Sequence, residues 1–420
     1  MAELVRVTID TLVHGGQGLG TLDTGQKAFV WNALPGETVE ARVIKRKRMY
    51  VEAIAEEIIT ASAERVAPEE ANYLATSPWQ MMTYEAENRY KKQITLDLFA
   101  HEKVRLPVVG DLVAGEQQWA YRNKMEYSFW GDDDGLHLAL HQRGSSGKQI
   151  VAGSRLALPA IDAAANAICA QLQQLDIRAG DLKTIVVRCS QDGAAVVALF
   201  VKPTSFPELV LPGEAQGLRV YHSNPKSPAS VATELLQETG DCNLHDVLLG
   251  QQFSYDVDSF FQVNIPVFEL ALSRIKEQLQ APVVTDMYAG VGSIGLSVAS
   301  EGTTLVELDL PTATMAAVNA AASPLQTEVV ETSAEQSLDY ITTEVPVIVD
   351  PPRAGLHAKV VGRLLEAQPP QIVYLSCNPA TQARDLVQLQ AMYDCTFFEV
   401  YNFFPRTPHI ECLAVLTLRA

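Results

Sequence analysis

The sequence lacks the features that mark membrane, secreted and metal-binding proteins. No apolar run approaches the roughly 18 residues of a membrane span, and residues 1–10 do not have the basic-then-apolar layout of a secretory signal. The six cysteines form no CxxC pair and no metal-ligand spacing, which argues against a disulfide scaffold and a zinc or iron–sulfur site. His137 and His141 stand four apart, but no third ligand lies near them. We therefore expect a cytoplasmic protein with no membrane partner and no metal.

Positive charge is also scarce. The chain has 32 Lys and Arg against 50 Asp and Glu, a formal net charge of -18, and this argues against wholesale nucleic-acid binding because phosphate contacts come from Lys and Arg. A local basic run, VIKRKRMY at 43–50, departs from that average, and further basic residues recur over the next hundred positions. The candidate nucleic-acid contacts are Lys45, Arg46, Lys47, Arg48, Arg122 and Lys124. An ordinary solvated surface is the plainer alternative.

The 420 residues exceed one comfortable core, and three patterns along the chain predict three domains. Residues 1–60 alternate short β-type runs with Gly and Pro turns, which is typical of a small five-stranded barrel that either binds oligonucleotides or serves as a spacer. Residues 61–257 mix helical and strand patterns and predict an α+β domain with an antiparallel sheet. Residues 258–420 alternate strands with helices, which predicts an α/β, doubly wound, mostly parallel sheet.

A glycine turn follows the first strand of that parallel sheet. Residues 286–295 read DMYAGVGSIG, in which Gly290, Gly292 and Gly295 match GxGxxG. Such a turn lets the backbone approach a dinucleotide or S-adenosyl-L-methionine, or it is only a structural turn. Asp286 would repel a pyrophosphate but suits a cationic sulfonium or an amino group. Glu307, at the end of the next strand, is placed to hold ribose hydroxyls of either cofactor.

Three more side chains with chemical potential stand beside strands of the same sheet. Asp350 begins a DPPR loop stiffened by two prolines, and it is either a ligand carboxylate or an ordinary turn residue. Cys377 ends a strand in YLSCNP, where it is either a buried structural cysteine or a nucleophile. Glu411 precedes the last strand and should return to the same sheet edge. A thiolate that adds to C6 of uracil makes C5 nucleophilic, and a carboxylate can then remove the C5 proton.

Four motifs in order closely resemble those of the S-adenosylmethionine-dependent RNA uracil-5 methyltransferases, which act on tRNA uracil 54 and on 23S rRNA. They are DMYAGVGSIG, VDPPRAGL, YLSCNPATQARDL and FFPRTPHIEC. The resemblance spans the chain and implies a TRAM barrel, a central RNA-binding domain and a class I methyltransferase domain. It implies methyl transfer to C5 of a uridine in structured RNA, with 23S rRNA favoured over tRNA, through a covalent cysteine–C6 adduct. We expect the protein to act as a monomer.

The resemblance also implies roles for single residues. Cys377 corresponds to the nucleophile and Glu411 to the proton-abstracting base, while the basic residues named above become RNA contacts. The cofactor positions are Gln262, Tyr288, Gly290, Gly292, Ser293, Glu307 and Asp350. Ser293 replaces the Asn usual in the family, and because its hydroxyl still donates and accepts we expect a shifted contact.

One segment departs from many members of the family. Residues 68–82, PEEANYLATSPWQMM, lack the three clustered cysteines of a [4Fe-4S] site, and Ser154 stands at the fourth ligand position. Because cluster iron needs thiolate ligands, we expect no cluster. Tyr73, Trp79 and the methionines are expected to fill that volume as apolar packing.

Three alternatives stay open. An RNA cytosine-5 methyltransferase uses the same thiolate addition, but it typically places a cysteine after the proline of the DPP loop, where this chain has Arg353. An amino-group methyltransferase would leave Cys377 without a purpose. A non-catalytic RNA-binding or folding factor is disfavoured by the presence of both Cys377 and Glu411.

Overall fold

The computed structural model describes residues 3–145 and 147–419, and its N-terminal part is a closed five-stranded barrel. The strands follow the order β1-β2-β3-β5-β4, with β3 and β5 parallel and the other described pairs antiparallel. Alternate residues such as Val7, Ile9, Val30 and Val51 point inward and form the core, as the period-two pattern requires. The strands are β1 (Leu4–Leu12), β2 (Gly18–Thr21), β3 (Lys27–Trp31), β4 (Thr38–Arg46) and β5 (Tyr50–Thr60).

The middle of the chain contains a seven-stranded sheet covered by one long helix. Its helices and strands are α1 (Tyr73–Thr76), α2 (Tyr84–His101), β6 (Val113–Ala114), β7 (Lys124–Asp132), β8 (Gly135–His141), β9 (Lys148–Ile150), α3 (Pro159–Gln174), β10 (Leu182–Cys189), β11 (Ala195–Val201), β12 (Gly217–His222), β13 (Glu234–Gly240), β14 (Asn243–Leu248) and β15 (Gln251–Asp256). The sheet order is β13-β12-β11-β10-β7-β8-β9, and α3 packs on its apolar face. The β11–β12 pair runs parallel, whereas an antiparallel sheet was expected, because residues 202–216 cross over between the two strands.

The C-terminal part is a doubly wound α/β sheet, which confirms the predicted fold class. It contains α4 (Ile265–Gln278), β16 (Val283–Met287), α5 (Gly295–Val298), β17 (Gly302–Glu307), α6 (Leu310–Ala322), β18 (Gln326–Glu331), β19 (Val347–Val349), α7 (Ala358–Ala367), β20 (Gln371–Ser376), α8 (Pro379–Leu389), β21 (Tyr393–Asn402) and β22 (Glu411–Leu418). The order is β18-β17-β16-β19-β20-β22-β21-β6. Strands β19 and β20 are buried throughout, as expected where helices cover both faces of a parallel sheet.

Two elements from the middle of the sequence belong by their contacts to this C-terminal sheet. Strand β6 pairs in parallel with the end of β21, through Tyr401↔Val113 and Asn402↔Ala114. Helix α2 packs against α8 and β21, so that Ile94 and Phe99 lie in the same core as the strands. The C-terminal sheet is therefore tied directly to the segment that follows the barrel.

The segment without cluster cysteines is part of that core. Trp79, Met81 and Met82 are buried in it, and Tyr73 packs against it with its hydroxyl donating to Asn32 at 2.6 Å. The methionines and Trp79 therefore provide the apolar packing that the sequence predicts. Within residues 3–145 and 147–419, no three His, Cys, Asp or Glu side chains are grouped so as to hold a metal ion. Over the same residues no helix has the length and apolar character needed to cross a membrane.

Candidate active site

A cavity of about 1110 Å³ opens at the carboxyl ends of the parallel strands, the edge where open α/β sheets bind ligands. Its volume exceeds the roughly 1,000 Å³ at the upper end of small-molecule sites, so that it can hold more than one ligand. Eight predicted site residues line it: Gln262, Tyr288, Gly290, Ser293, Glu307, Asp350, Cys377 and Glu411. The sequence prediction thus identifies side chains that the fold brings together.

Strand pairing brings Cys377 and Glu411 to each other. The antiparallel pair β20–β22 ends with Ser376 opposite Cys412, and one further step in this register sets Cys377 opposite Glu411. In a regular antiparallel pair, opposite residues have Cα atoms about 5 Å apart and side chains on the same face. The chain turns away directly after the thiol, because Asn378 caps α8 and Pro379 occupies its first turn.

The charges of the cavity favour a neutral thiol in the free protein. Burial raises the pKa of Cys377 to about 12, and the nearby Glu411 and Asp350 add to the shift. Burial, followed by Asp350, raises the pKa of Glu411 well above its usual range, and Oε1 of this carboxyl is buried without a hydrogen-bond partner. An ionised thiol or carboxylate here therefore needs positive charge close by.

Arg353 is that positive charge, although no pattern in the sequence marked it as part of the site. Its guanidinium lines the cavity and lowers the pKa of both Cys377 and Glu411. It also contacts Nδ1 of His409 at 3.5 Å. It stands three residues after Asp350 in the DPPR loop, but contact with a thiol on another strand was not visible in the sequence.

Asp350 is held beside Gln262 at the end of β19. The Gln262 side-chain amide donates to Asp350 Oδ2 at 3.4 Å, and the Gln262 carbonyl accepts from the side chain of Asn123 at 2.9 Å. Burial raises the pKa of Asp350 to about 7. Burial therefore makes this carboxyl a better proton acceptor than an exposed aspartate.

The glycine turn forms the opposite wall. Tyr288 and Gly290 have left-handed φ values of 68° and 60°, which for a tyrosine is a strained conformation typical of functional sites. The Gly290 N–H donates to Glu307 Oε2 at 2.8 Å, while Glu307 Oε1 accepts from the N–H groups of Leu308 and Asp309. Because each carboxylate oxygen has two acceptor positions, Oε2 keeps one for a ligand hydroxyl.

Two residues of the turn lie behind the wall. Gly292 does not line the cavity, and a Cβ at this position would lie 2.8 Å from Leu305 Cδ1 and 2.9 Å from Leu296 Cδ1. Asp286 is fully buried, accepts from the Gly295 N–H at 2.8 Å, and has a pKa raised by burial to about 8. The expectation that Asp286 faces a cofactor sulfonium is therefore wrong, since its carboxyl shapes the turn from below.

The six predicted nucleic-acid contacts do not line this cavity. Lys45 and Arg46 end β4, where Lys45 pairs with Glu52 at 3.3 Å and Arg46 pairs with Glu3. Lys47 and Arg48 are exposed in the turn to β5. Arg122 lies close enough to His409 to lower its pKa, whereas Lys124 is largely buried and has a pKa lowered to about 8 by burial and by Arg188. The RNA-binding role of all six stays a prediction.

A histidine of the barrel also lies near Asn378 and Arg353 beside the cavity, although no pattern in the sequence predicted it. His14, in the loop between β1 and β2, is exposed, and its pKa is lowered: loss of some of its water contacts and Arg353 lower it, while a hydrogen bond with Asn378 raises it. The same loop meets the catalytic part again at Gly16, whose carbonyl accepts from the Trp79 indole at 3.1 Å. The barrel is therefore in contact with the active-site side of the α/β sheet.

Comparison with known proteins agrees with this geometry. The family model described as tRNA (uracil-5-)-methyltransferase matches residues 336–419, and the model of the TRAM domain matches residues 3–55. The chain is 28% identical over 448 residues to an uncharacterized RNA methyltransferase of Enterococcus faecalis, covering 99% of this chain and 97% of the relative. The chain is therefore an RNA methyltransferase that carries the domain of the tRNA (uracil-5-)-methyltransferase family. The methyltransferase is also 26% identical over 439 residues to an uncharacterized RNA methyltransferase of Thermotoga maritima, covering 98% and 99% of the two chains.

A solved structure shares the fold of the methyltransferase over its whole length. It is the Pyrococcus abyssi tRNA (uracil-54, C5)-methyltransferase in complex with S-adenosyl-L-homocysteine, with a TM-score of 0.77. The match covers 98% of this chain and 100% of that chain at 21% identity. The barrel, the central sheet and the catalytic sheet of the methyltransferase therefore form a known arrangement.

Proposed function

We propose that this enzyme transfers a methyl group to C5 of a uridine in 23S rRNA, through a transient bond between Cys377 Sγ and C6 of the base. The observation that carries the proposal is that Cys377 and Glu411, each next to the last described β20–β22 pair Ser376↔Cys412, line one cavity with Asp350 and the glycine turn. In this proposal the enzyme acts in the cytoplasm as a monomer. Its three domains are residues 1–60, 61–257 and 258–420, except that α2 and β6 pack with the third domain. The competing substrate is tRNA, which the P. abyssi protein is named for.

The lining of the cavity fits S-adenosyl-L-methionine better than a dinucleotide. Five acidic residues line it, against the guanidinium groups of Arg353 and Arg384, so that a pyrophosphate would meet a surplus of negative charge. The helix after the glycine turn, α5, has only four residues, which gives little of the dipole that binds phosphates. When bound, the cofactor supplies a methyl group on a positively charged sulfur. Glu307, Gly290, Ser293, Tyr288 and Gln262 are the residues that would hold it.

The proposed reaction has two stages, formation of the bond between Cys377 Sγ and C6 and release of the methylated base, and different side chains act in each. The Cys377 proton passes to a carboxylate, for which Asp350 is suited because burial raises its pKa, and Arg353 favours the thiolate. Sγ then bonds to C6, and the C5–C6 π electrons move toward C4=O4 so that C5 can take the methyl group. Glu411 accepts the C5 proton, the C5=C6 bond re-forms, and the electrons of the S–C6 bond return to sulfur.

The substrate assignment is tested by transfer of labelled methyl groups to unmodified RNA, followed by digestion to nucleosides. We expect 5-methyluridine in 23S rRNA. Methyl groups in tRNA alone would overturn the preference for rRNA. Methylcytosine would favour the cytosine-5 alternative, and absence of transfer by folded, cofactor-binding protein would favour a non-catalytic factor.

A further inference from the structure

A buried ion pair on α2 lies under the loop that leads to Glu411. Glu87 and Lys91 stand one helical turn apart, both side chains are fully buried, and Lys91 Nζ lies 2.9 Å from Glu87 Oε1. Removing two charges from water is costly unless the remaining polar positions are also satisfied. The partners of this pair outside α2 therefore indicate what it stabilises.

The ammonium group of Lys91 binds the loop at two places. Nζ donates to the side-chain oxygen of Asn402 at 2.6 Å, at the end of β21, and to the backbone carbonyl of Phe404 at 3.0 Å. With Glu87 these partners account for all three ammonium protons. All three protons of the ammonium group are therefore used, two of them at the start of the loop.

Glu87 binds the loop two residues further on. Its Oε1 and Oε2 both accept from the Arg406 backbone N–H at 3.0 Å, and Oε1 also accepts from the Asn402 side-chain amide at 2.9 Å. Arg406 has a left-handed φ of 64°, which residues with a side chain adopt only where their surroundings enforce it. The Arg406 backbone carbonyl accepts in turn from the backbone N–H of Trp79 at 3.1 Å. The ion pair therefore fixes the main chain where the loop reverses.

The loop carries no regular structure of its own between β21 and β22, and Glu411 is the first residue of β22. Glu411, whose carboxyl the proposed reaction needs, therefore lies directly after this loop. Apolar side chains of equal size could fill the space under the loop, but they could not hold its carbonyl and N–H groups in place. A misplacement of about 1 Å at a catalytic group can cost about 100-fold in rate.

We propose that Glu87 and Lys91 are positioning residues for Glu411: they hold residues 402–406 so that the carboxyl meets C5 of the bound base. This inference rests on the proposed function, in which Glu411 removes the C5 proton. It predicts a defect in the release of the covalent adduct rather than in binding or in attack by the thiol.

The test is Lys91→Met, assayed with uridine RNA by denaturing gels and by steady-state kinetics. We expect kcat to fall about 100-fold, a covalent protein–RNA adduct to accumulate, and the Kd for S-adenosyl-L-methionine to change less than about 3-fold. The matched control is Lys92→Met, the next lysine of α2, whose partner is the exposed Asp111 at 3.2 Å. This control should behave as the wild type, because Lys92 does not touch the loop.

Loss of one partner leaves an unpaired buried charge, so that the single variant is subject to misfolding. The double variant Glu87→Met/Lys91→Met removes both charges, and its folding is checked by thermal melting. It should show the same adduct and the same fall in kcat. A purely structural role would instead lower the amount of active enzyme and leave the adduct per active enzyme unchanged, which would overturn the inference.

The same gels include Glu411→Gln, which separates the inference from the proposal beneath it. If Glu411→Gln accumulates the adduct while the folded double variant turns over like the wild type, the positioning role is wrong and the proposed function stands. If Glu411→Gln accumulates no adduct, the assignment of the base is wrong, and with it the inference.

Discussion

At the scale of single residues, the reaction depends on side chains whose charges burial suppresses. Cys377 and Glu411 were predictable because each stands beside a strand of a recognisable sheet. The roles of Arg353 and Asp286 were not, because they depend on which charges meet across strands that are distant in sequence. Arg353 lies on a different loop from Cys377 and lowers the pKa of its thiol. Asp286 lies beneath the glycine turn, where its carboxyl accepts from the Gly295 N–H.

Replacing the thiol should abolish methyl transfer and little else. In Cys377→Ala the rate should fall by at least about 100-fold, since no other thiol is among the described residues that line the cavity, while RNA affinity stays within about 3-fold. Cys395→Ala is the control, because Cys395 lies in β21 and does not line the cavity. Filter binding and methyl-transfer assays measure both quantities. Substantial turnover by Cys377→Ala would refute the nucleophile.

Replacing Arg353 should change the pH dependence of the reaction. The guanidinium lowers the pKa of Cys377, so that Arg353→Met raises this pKa. Because the rate rises with pH as the thiolate forms, the rise in kcat/KM should move to higher pH. A pH profile measured for both proteins checks the direction. A profile that moves to lower pH would contradict the assigned role of the arginine.

At the scale of elements, the GxGxxG pattern predicts more residues at the cofactor cavity than the glycine turn places there. Gly290 and Gly292 both match GxGxxG, yet the first lines the cavity and the second packs against Leu305 and Leu296. The strands of the catalytic sheet were predictable from their apolar runs between helices. Strand β6 was not, because two residues carry no periodic signal and only its pairing with Tyr401 and Asn402 defines it.

The packing role of Gly292 predicts a loss of stability on adding one methyl group. In Gly292→Ala the left-handed φ of 84° and the contacts at 2.8 and 2.9 Å should destabilise the protein by about 2 kcal/mol. Gly362→Ala, in α7, is the control: no atom lies within 4 Å of its Cβ, and alanine should be neutral or stabilising by up to about 1 kcal/mol. Thermal melting compares the two. Equal melting temperatures would contradict the packing role.

At the scale of the whole molecule, an enzyme of net charge -18 must bind a polyanion. The hairpin between β4 and β5 is basic, but two of its cations are already paired with carboxylates. Arg46 pairs with Glu3, and Lys45 pairs with Glu52. Burial lowers the pKa of Lys124 and makes its ammonium group less available for contacts with phosphate. The sequence indicated which residues are basic, whereas their pairing and burial are tertiary properties that it could not reveal.

Lys47 and Arg48, exposed at the tip of that hairpin, should therefore contribute most to phosphate binding. The variant Lys47→Ala/Arg48→Ala should lower RNA affinity and reduce the slope of log Kd against log salt by about 1 to 2. Lys226→Ala/Lys276→Ala changes the net charge equally at exposed positions elsewhere and should leave the slope unchanged. Equal effects of both variants would mean that overall charge, and not this hairpin, governs binding.

The central claim is the bond between Cys377 and C6 of a uracil, and trapping on RNA that contains 5-fluorouridine tests it most directly. Fluorine at C5 cannot leave as a proton, so that the methylated base should stay attached to the protein. Mass spectrometry of the digested adduct should find the nucleotide on the peptide that contains Cys377. An adduct on another residue, or no adduct under conditions where uridine RNA is methylated, would contradict the account.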